Sequence, residues 1–415
     1  MARNLYSVDR ARQVAERRLP RMVYDFLEGG ALDERTLARN RAAFAEARFE
    51  QRVLVDLPEV RTETRVLDTE FAVPLAVSPM GLLTVLHPRA DLAIASAAAE
   101  AGSVFVHSPW SGCSLEQVQE QAGSRLWAQI AFWSDRSVTD EHIARAKNLG
   151  VDTLVVAGDV SFTSKRERDL RHGTGMPPRP PFADVVNVAL HPGWLWRLVT
   201  GPALTWGTYR IDGRRIRMGE MDHWMERHET HRASWTDLAE LRARWDGRLV
   251  VKGVMGAANA RAAVDAGADA VFVSNHGGRQ FDGQPATLDV LPAIADAVGG
   301  RAAVVLDGGV RRGSDIAVAL NHGADLVSAG RPFAYGLAAQ GERGVQQVFA
   351  ALADELVTAM GFLGAASIRD LTAQGSARDA VTGRNELGVA EGVHDVDRRV
   401  QGFARLPLLR DLDRG

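Results

Sequence analysis

The chain changes its hydrophobic pattern at about residue 72. From there on, short runs rich in β-branched residues, typical of buried strands, alternate with Ala-rich stretches whose apolar residues recur at helical spacing. The strand-like runs are AVPLAVS at 72–78, SVFVHS at 103–108, RLWAQIA at 125–131, TLVVAGD at 153–159, RLVVKG at 248–253, AVFVSN at 270–275, AAVVLD at 302–307 and DLVSAG at 325–330. Eight strands separated by helices within about 260 residues predict an α/β fold of the (β/α)8 (TIM) barrel type rather than an open sheet.

Three regions of the chain do not follow this alternation of strands and helices. Residues 1–60 are predicted to form a helical cap in front of the barrel. The fourth and fifth strands are separated by an insertion, 161–233, with a Trp-rich piece HPGWLWRLVTGPALTW and a basic segment RIDGRRIRMG. From about residue 366 the chain becomes polar and rich in Arg and Asp, so residues 1–365 are predicted as a single domain and 366–415 as a surface tail or subunit arm.

The insertion permits two interpretations, since a connection this long usually has a function. Its apolar residues could enter a membrane interface, or it could be a flap packed on the barrel mouth or on a neighbouring subunit. The residues on which a membrane contact would depend are Trp194, Leu195, Trp196, Leu198 and Val199, flanked by Arg197 and Arg210.

Composition narrows the class of protein. The 415 residues are 46% hydrophobic and 24% charged, which is typical of a globular protein with a large core. A net charge of −3 offers no basic surface for nucleic acid. The single cysteine, Cys113, excludes an intramolecular disulfide, and we find neither a signal-peptide pattern nor an apolar run near the roughly 20 residues of a membrane span. We therefore expect a cytoplasmic protein, with any membrane contact peripheral.

Polar residues and glycines follow nearly every predicted strand. They are Ser78, Pro79, Met80 and Gly81, His107 and Ser108, Gln129, Asp159, Lys252, Ser274, Asn275 and His276, Asp307, Gly308 and Gly309, and Gly330 with Arg331. The carboxyl ends of barrel strands meet on one face, where such barrels carry their active sites. These residues therefore predict one pocket.

Two of these loops indicate a phosphate-bearing ligand. DGGVRRG at 307–313 and AGRP at 329–332 place glycines and arginines before predicted helices, after strands seven and eight. Glycine lets backbone N–H groups approach an anion, a helix N-terminus favours it, and arginine binds its oxygens.

Lys252 is unusual because the chain has only three lysines against forty-six arginines. It lies in an apolar strand, LVVKGV, whereas Lys147 and Lys165 do not. It could form a buried ion pair, form a Schiff base, or serve as a fixed cation beside a ligand that becomes negative.

His276 is the best candidate for a general base, because an imidazole titrates near neutrality. Asp159 could orient it and stabilise its protonated form. Arg279 follows three residues later, which suits a substrate whose carboxylate is held while a neighbouring proton is removed.

These residues resemble a known family. SNHGGRQ at 274–280, LDGGVRRG at 306–313, VVKG at 250–253, LPRMVYDFLEGGA at 19–31 and RERDL at 166–170 are similar to motifs of the FMN-dependent 2-hydroxy acid dehydrogenases and oxidases. That family includes glycolate oxidase, lactate oxidase and mandelate dehydrogenase. The resemblance runs from about residue 5 to 365, and the YDFLEGGA and RERDL stretches look most like mandelate dehydrogenase.

The resemblance implies FMN as cofactor, an (S)-2-hydroxy acid as substrate and a homotetramer. It implies that His276, paired with Asp159, is the base, that Arg279 and Arg166 bind the substrate carboxylate, and that Tyr24 touches the substrate. Lys252 would stabilise the reduced flavin beside N1 and the C2 carbonyl. The residues implied to hold the cofactor are Pro79, Met80, Gly81, Ser108, Gln129, Lys252, Ser274, Asp307, Gly308, Gly309, Arg311, Gly330 and Arg331.

The chain also departs from the family pattern. Ala131 stands where the family has a tyrosine, Ala157 where it has a threonine, and the proline that follows the aspartate is absent after Asp159. A bulky substrate in the vacated space, a donor from the insertion, or weakened catalysis would each explain Ala131, and we favour a bulky or aryl substrate. Gly81 resembles the dehydrogenases of the family, which predicts slow reaction with oxygen and leaves the natural electron acceptor unknown.

Other interpretations remain open. Lys252 could make the chain a Schiff-base aldolase, or the departures could mark a divergent member that acts on a non-standard 2-hydroxy compound, or a flavin-binding protein without turnover. His223, His228 and His231 have H-x-x-H spacing, but an exposed helix face is the simpler interpretation, so we expect no metal. Cys113 is expected to be inert.

Overall fold

The computed structural model describes residues 4–57, 59–162, 164–173, 179–211, 213–228 and 233–373. Its centre is a closed barrel of eight parallel strands, as predicted. The barrel strands, in spatial order, are β3 (Leu75–Val77), β4 (Phe105–His107), β5 (Leu126–Ile130), β6 (Thr153–Ala157), β9 (Arg248–Val254), β10 (Ala270–Ser274), β11 (Ala303–Asp307) and β12 (Leu326–Ala329). Each coincides with one predicted run. The first begins later than expected, at Leu75, because Pro74 has no N–H to give to a ladder.

Helices surround the barrel. They are α4 (Ala90–Glu100), α5 (Leu115–Ala122), α6 (Arg136–Asn148), α11 (Trp235–Arg244), α12 (Ala257–Asp265), α13 (Thr287–Val298), α14 (Gly313–Asn321), α15 (Arg331–Gln340) and α16 (Glu342–Leu363). Several begin at side-chain caps: Ser114 caps α5, Asp135 caps α6 and Ser234 caps α11, each accepting a hydrogen bond from a first-turn backbone N–H. The Ala-rich stretches between the strands, which the sequence predicts to be helical, all form helices.

The strands are buried on both faces, and alternate residues belong to two different cores. The inner core contains Val250, Phe272 and Trp127, closed from below by the hairpin β1 (Thr64–Val66) and β2 (Thr69–Phe71). Residues of the other parity, such as Val251 and Val273, pack against the helices. Because side chains alternate along a strand, the inward positions continue upward from this apolar interior to Lys252, Ser274 and Asp307.

The N-terminal residues form the predicted cap, with helices α1 (Val8–Arg18), α2 (Arg21–Glu28) and α3 (Arg35–Glu46). α1 packs against α15 and α16, while α3 packs against α13 and the loop that follows β10. The cap therefore covers the carboxyl ends of the last strands.

The insertion is folded and has two parts. Helices α7 (Glu167–Arg171), α8 (Phe182–Ala189) and α9 (Pro192–Thr200) come first, followed by the hairpin β7 (Thr205–Ile211) and β8 (Arg214–Arg217) and helix α10 (Met221–Arg227). Trp206, Tyr209 and Trp224 of the second part pack on Trp133 of the barrel. This second part is the flap on the barrel mouth that one interpretation expected.

The first part of the insertion divides the apolar stretch that the sequence singled out. Trp194 is buried and its Nε1 donates to the Val85 carbonyl at 2.8 Å, and Leu195 and Leu198 pack against the core. Trp196 and Val199 are exposed. Only the outer side of α9 is therefore free to meet another surface. Over the described residues, no helix combines the length and apolarity that crossing a bilayer requires.

At the C-terminal end, packing continues past the predicted division at residue 365. Ile368 and Leu371 are buried, and Asn321 Nδ2 donates to the Leu371 carbonyl at 3.1 Å. The packed domain thus reaches at least Leu371, and most of the predicted tail lies outside the described residues.

Candidate active site

A buried ion pair lies at the top of the barrel interior. Lys252 Nζ is 2.5 Å from Asp307 Oδ2 and donates to Ser274 Oγ, also at 2.5 Å. Ser274 and Ser78 donate to the two oxygens of Asp307 at 2.7 and 2.6 Å. Burial alone would raise the pKa of Asp307, but the Lys252 ammonium and these hydroxyls hold that pKa below its usual value. Four residues predicted from separate strands thus form one charged network.

This arrangement favours the fixed-cation interpretation of Lys252. An ammonium bound to a carboxylate and a hydroxyl is not the neutral amine that attack on a carbonyl requires. Lys147 and Lys165, by contrast, lie on the surface in pairs with Asp246 and Glu167. Lys252 is the only one of the three lysines that is buried.

Asp159 and His276 form a second pair on the same face. His276 Nδ1 lies 3.2 Å from Asp159 Oδ2 and 3.4 Å from Oδ1. Burial alone would raise the pKa of Asp159, but the charge of His276 and its hydrogen bond lower it. His276 has a backbone φ of +58°, a left-handed conformation that is uncommon for a residue with a side chain. With Nδ1 facing the carboxylate, Nε2 is the nitrogen able to accept a proton.

The predicted carboxylate-binding arginines lie next to each other. Arg166 Nε is 3.4 Å from the Arg279 carbonyl, and Arg279 Nη1 donates to the carbonyls of Phe26 and Gly29 at 2.9 and 2.6 Å. Burial lowers the pKa of Arg279, and the charges of Arg166 and Arg331 lower it further. Asp169 and Glu34 are the carboxylates that partly offset this positive charge. A cluster of this kind is stabilised by an anion.

Tyr24 on α2 is buried, and its hydroxyl has no hydrogen-bond partner among the described residues. Burial, with the charge of Glu28, raises the pKa of Tyr24, so the phenol keeps its proton and can donate. An unpaired buried donor costs free energy unless a ligand satisfies it.

Arg331 does not extend into the strand-end pocket as the sequence suggested. Its guanidinium donates to the carbonyls of Leu27, Glu28, Gly29 and Gly277, at 3.1, 3.3, 2.9 and 2.9 Å. Together with Arg279 it satisfies the free carbonyls at the C-terminal end of α2, where cations are favoured. What Arg331 can offer an anion is its backbone N–H at the start of α15.

The loop after β11 is held by the cap. Gly309 has a φ of +85°, and a Cβ there would lie 2.3 Å from the Asn40 carbonyl, so only glycine fits. Arg311 Nη1 donates to the carbonyl of the preceding residue, Val310, at 2.8 Å, and the Arg311 guanidinium lies over the Tyr335 ring. Gly308 also has positive φ, and Gly330 packs against Met80. Of the two predicted phosphate loops, one therefore lies against the cap and the other against the loop after β3.

The remaining predicted residues line the same face. Gln129 and Ser108 are buried at the ends of β5 and β4, and Pro79 and Met80 are partly buried after β3. Gly81 packs on Trp110, since a Cβ at Gly81 would lie 2.7 Å from Trp110 Cβ.

The sequence reasoning missed several residues that shape the site. Asn40 and Asn275 exchange two amide hydrogen bonds of 2.8 Å, which join α3 to the loop carrying His276. Ser328 shares a 2.7 Å hydrogen bond with Ser78. A signal for both existed: Asn40 occupies a core-facing position of an amphipathic helix, and Ser328 an inward strand position. Trp110 carried no such signal.

The other candidate residues lie apart from this face or are inert. His223 is exposed, His228 packs on the Trp224 ring, and His231 lies outside the described residues. Across the parts of the chain that the structure describes, no group of three His, Cys, Asp or Glu could hold a metal ion. Burial raises the pKa of Cys113 to about 12, so its thiol is not activated.

The site residues fit an FMN group. Polar side chains lie above the apolar interior of the barrel, at the carboxyl ends of its strands, and this arrangement suits a flat apolar ring with polar edges. Glycine-containing turns precede α14 and α15, and such turns suit a phosphate. Comparison with known proteins agrees. The FMN-dependent dehydrogenase family matches residues 15–378, and the chain belongs to this family. It is therefore an FMN-dependent enzyme of the 2-hydroxy acid dehydrogenase and oxidase group.

Individual relatives carry two kinds of name. The chain is 38% identical to an L-lactate dehydrogenase of Caulobacter vibrioides over 87% of its length and 94% of the relative. It is 36% identical to an L-lactate dehydrogenase of Pseudomonas aeruginosa, over 89% and 97%. Among solved structures it resembles the monotopic membrane protein (S)-mandelate dehydrogenase, at 35% identity and a TM-score of 0.85, over 89% and 98%. Mandelate oxidase is similar at 32% identity and a TM-score of 0.76, over 88% and 97%.

Lys252→Met should test the buried pair. The lowered pKa of Asp307 means that its charged form adds stability above its unfolded-state pKa, and that this stability is lost as pH falls through the folded-state pKa. Without the cation, the carboxylate is buried unpaired, so the variant should lose about 3–5 kcal/mol of unfolding free energy at neutral pH. The deficit should shrink in acid, as Asp307 takes up a proton. Urea unfolding across this pH range measures it.

Lys147→Met is the matched control, because its pair with Asp246 is exposed and its loss should change stability little. Lys252→Arg keeps the charge but brings a wider group against the Phe272 ring, 5.6 Å from Nζ. It should lose flavin reduction far more than stability. A Lys252→Met deficit that does not depend on pH would contradict the assigned pair.

Proposed function

We propose that this enzyme oxidises a bulky, aryl-bearing (S)-2-hydroxy acid to the 2-oxo acid. The observation that carries the reaction is the combination, on one face, of the His276–Asp159 pair with the Arg279–Arg166 cluster. A 2-hydroxy acid needs these groups, since it has a carboxylate to bind, a hydroxyl to orient and a proton to give up.

Each residue then has a stated task. Arg279 and Arg166 bind the substrate carboxylate, and Tyr24 donates to a substrate oxygen. His276 takes the proton of the 2-hydroxyl or of Cα on Nε2, and Asp159 stabilises the imidazolium that results. These tasks match the charges of the groups: two cations for an anion, a neutral phenol as donor, and a base backed by a carboxylate.

Bound FMN supplies the acceptor for the two electrons that leave the substrate. The inward layer of Lys252, Ser274 and Asp307, with Gln129 and Ser108, would hold its ring and ribityl chain. Gly309, Arg311 and the N-terminus of α15 at Gly330 and Arg331 would hold its phosphate. Lys252 provides a fixed positive charge where negative charge accumulates.

The substrate class rests on Ala131. Its methyl group is only partly buried and packs against a layer of aromatic rings that includes Trp110 and Trp133. Trp110 is partly exposed and lies against Gly81, while Trp206 of the insertion backs it with a ring-centroid distance of 4.7 Å. A small residue before an aromatic wall leaves room for an aryl group and gives it rings to pack on.

A donor from the insertion is the less supported explanation of Ala131. The hydroxyl of Tyr209 and the indole nitrogen of Trp206 are buried within the aromatic layer. Burial keeps both from a ligand unless the flap opens. The missing phenol of the family is therefore best explained by the size of the substrate.

Anaerobic flavin bleaching tests reaction and substrate together. The flavin should be reduced by aryl 2-hydroxy acids such as mandelate at least about tenfold faster than by lactate. Ala131→Tyr should reverse this preference, because the phenol fills the space and restores a donor for small substrates. Ala157→Thr is the matched control on the neighbouring strand and should keep the preference. If Ala131→Tyr improved turnover of every large aryl acid tested, the proposal would be wrong.

The two remaining alternatives have their own signatures. Yellow protein whose flavin no 2-hydroxy acid bleaches would indicate a flavin-binding protein without turnover. Covalent trapping of substrate on Lys252 by borohydride would indicate a Schiff-base aldolase. The hydrogen bonds of Lys252 to Ser274 and Asp307 argue against the second.

For the electron acceptor, we expect slow reaction with oxygen. Gly81 supports this expectation, because many oxidases of the family have alanine at this position and Trp110 lies against the Gly81 backbone. Turnover with a dye acceptor should exceed oxygen-dependent turnover by at least about tenfold, and we would measure substrate consumption and peroxide in parallel. Peroxide formed as fast as substrate is consumed would contradict this expectation.

We also propose that the outer face of α8 and α9 rests on a lipid surface. Phe182, Leu190, Trp196 and Val199 are between 66% and 82% exposed and belong to consecutive segments of the insertion. Arg179 precedes them on the same exposed segment. Large apolar side chains next to a cation are typical of an interfacial membrane contact. A relative described as a monotopic membrane protein supports the same interpretation.

A vesicle assay tests this contact. Replacing Phe182, Leu190 and Trp196 together by serine should lower binding to vesicles of neutral and anionic phospholipid by at least about tenfold, because less apolar surface enters the interface. A control that replaces Leu54, Val357 and Phe362, which are also exposed, should bind as the parent does. Equal binding of both triple variants would exclude the proposed face. A change in oligomeric state of the first variant without a change in vesicle binding would instead indicate contact with a second copy.

A further inference from the structure

His172 lies between two carboxylates from two different helices. Its Nδ1 is 2.8 Å from Asp184 Oδ2 on α8, and its Nε2 is 2.7 Å from Asp25 Oδ2 on α2. The ring is buried, with 4% of the side chain exposed. Carboxylates only accept hydrogen bonds, so both ring nitrogens must donate, and imidazole does so only as a cation. The geometry therefore requires a protonated His172.

His172 and Arg166 lie at opposite ends of the same short segment. Arg166 is the residue before α7, and His172 is the residue after it. Within the same short helix, Arg168 lies 3.4 Å from Asp25 and donates to Glu34 at 2.6 Å. Arg168 thus binds α7 to the cap, and His172 binds the cap at the far end of the helix.

The second carboxylate bound by His172, Asp25, lies on α2, the helix that binds Arg279. Asp25 directly follows Tyr24 on α2, and the C-terminal carbonyls of α2 bind Arg279. A movement of α7 relative to α2 would therefore separate Arg166 from Tyr24 and Arg279. Asp184 adds α8, the first helix of the exposed apolar face, to the same bridge.

We infer that His172 is a positioning residue: its two carboxylate bonds hold α7 and α8 against α2, and so fix Arg166 relative to Arg279 for the substrate carboxylate. This inference rests on the proposed function, which supplies that substrate. No step of the chemistry passes through His172 itself.

The bridge should depend on pH in a defined direction. Burial lowers the pKa of His172, but the hydrogen bonds and charges of Asp184 and Asp25 more than offset this, so its pKa is raised. The other charged groups around it are Arg168 and Asp169 on α7 and Arg21, 3.8 Å from Asp25, on α2. The bridge is complete below the ordinary histidine pKa and is lost as pH rises through the raised value.

Three variants of the holoenzyme test the inference. His172→Gln can donate to one carboxylate but turns its amide oxygen to the other, so KM for the 2-hydroxy acid should rise about tenfold while kcat changes less than about threefold. Adding Asp184→Asn gives that oxygen a donor, so the double variant should recover most of the parent KM. His322→Gln is the control, because His322 binds the Val318 carbonyl at the far end of α14.

The pH profile separates positioning from general structural support. KM of the parent should rise on the alkaline side, whereas KM of His172→Gln should be high and flat, and KM of the double variant low and flat. A His172→Gln enzyme with the KM and the alkaline rise of the parent would overturn the inference.

Hydrogen–deuterium exchange provides a readout that needs no substrate. Exchange should increase at 20–34 and 166–172 in His172→Gln but not in His322→Gln, and unchanged protection of both segments would overturn the inference. If no 2-hydroxy acid bleached the parent flavin, the proposed function would fail, and the exchange measurement would still decide whether His172 holds these helices together. If bleaching occurred and KM of His172→Gln were unchanged, the inference would fail and the proposed function would stand.

Discussion

Closing eight parallel strands into a barrel turns every second side chain of each strand toward a common axis. The lower inward positions of this chain are apolar and fill the interior around Trp127 and Phe272. The uppermost ones are polar, and because they are buried they must satisfy one another. Lys252 and Asp307 do so from the two strands that flank β10, and Ser274 and Ser78 bind the same carboxylate. The face proposed to hold the cofactor depends on this constraint.

The side proposed to bind substrate depends on a second constraint, the free carbonyls at the end of α2. A helix that ends inside a protein needs donors for its last carbonyls. Arg279 and Arg331 supply them from two barrel loops, and in doing so bring the cap helix with Tyr24 over the site. The same arginines leave excess positive charge beside the end of α2, so the solution to a folding problem also favours an anion there.

The insertion connects the aromatic rings beside Ala131 and the cap helix α2 to the surface of the molecule. Its second half contributes rings to the wall beside Ala131, and its first half is bound to the cap through His172. The exposed face of α8 lies one helix away from the substrate groups. Contact of that face with lipid and occupancy of the substrate site would therefore act on the same short segment, α7.

The sequence alone determined the barrel, the strands that carry the site, and the identity of most polar residues at their ends. These follow from local patterns: strand and helix periodicity, glycines in turns, and one lysine in an apolar strand. Only the tertiary structure decided that Arg331 binds the cap rather than the pocket, that Asn40 holds the His276 loop, and that His172 joins three helices. The reason is physical: each of these depends on partners more than ten residues away in the chain, and no local pattern encodes which distant carbonyl or carboxylate will lie within hydrogen-bond distance.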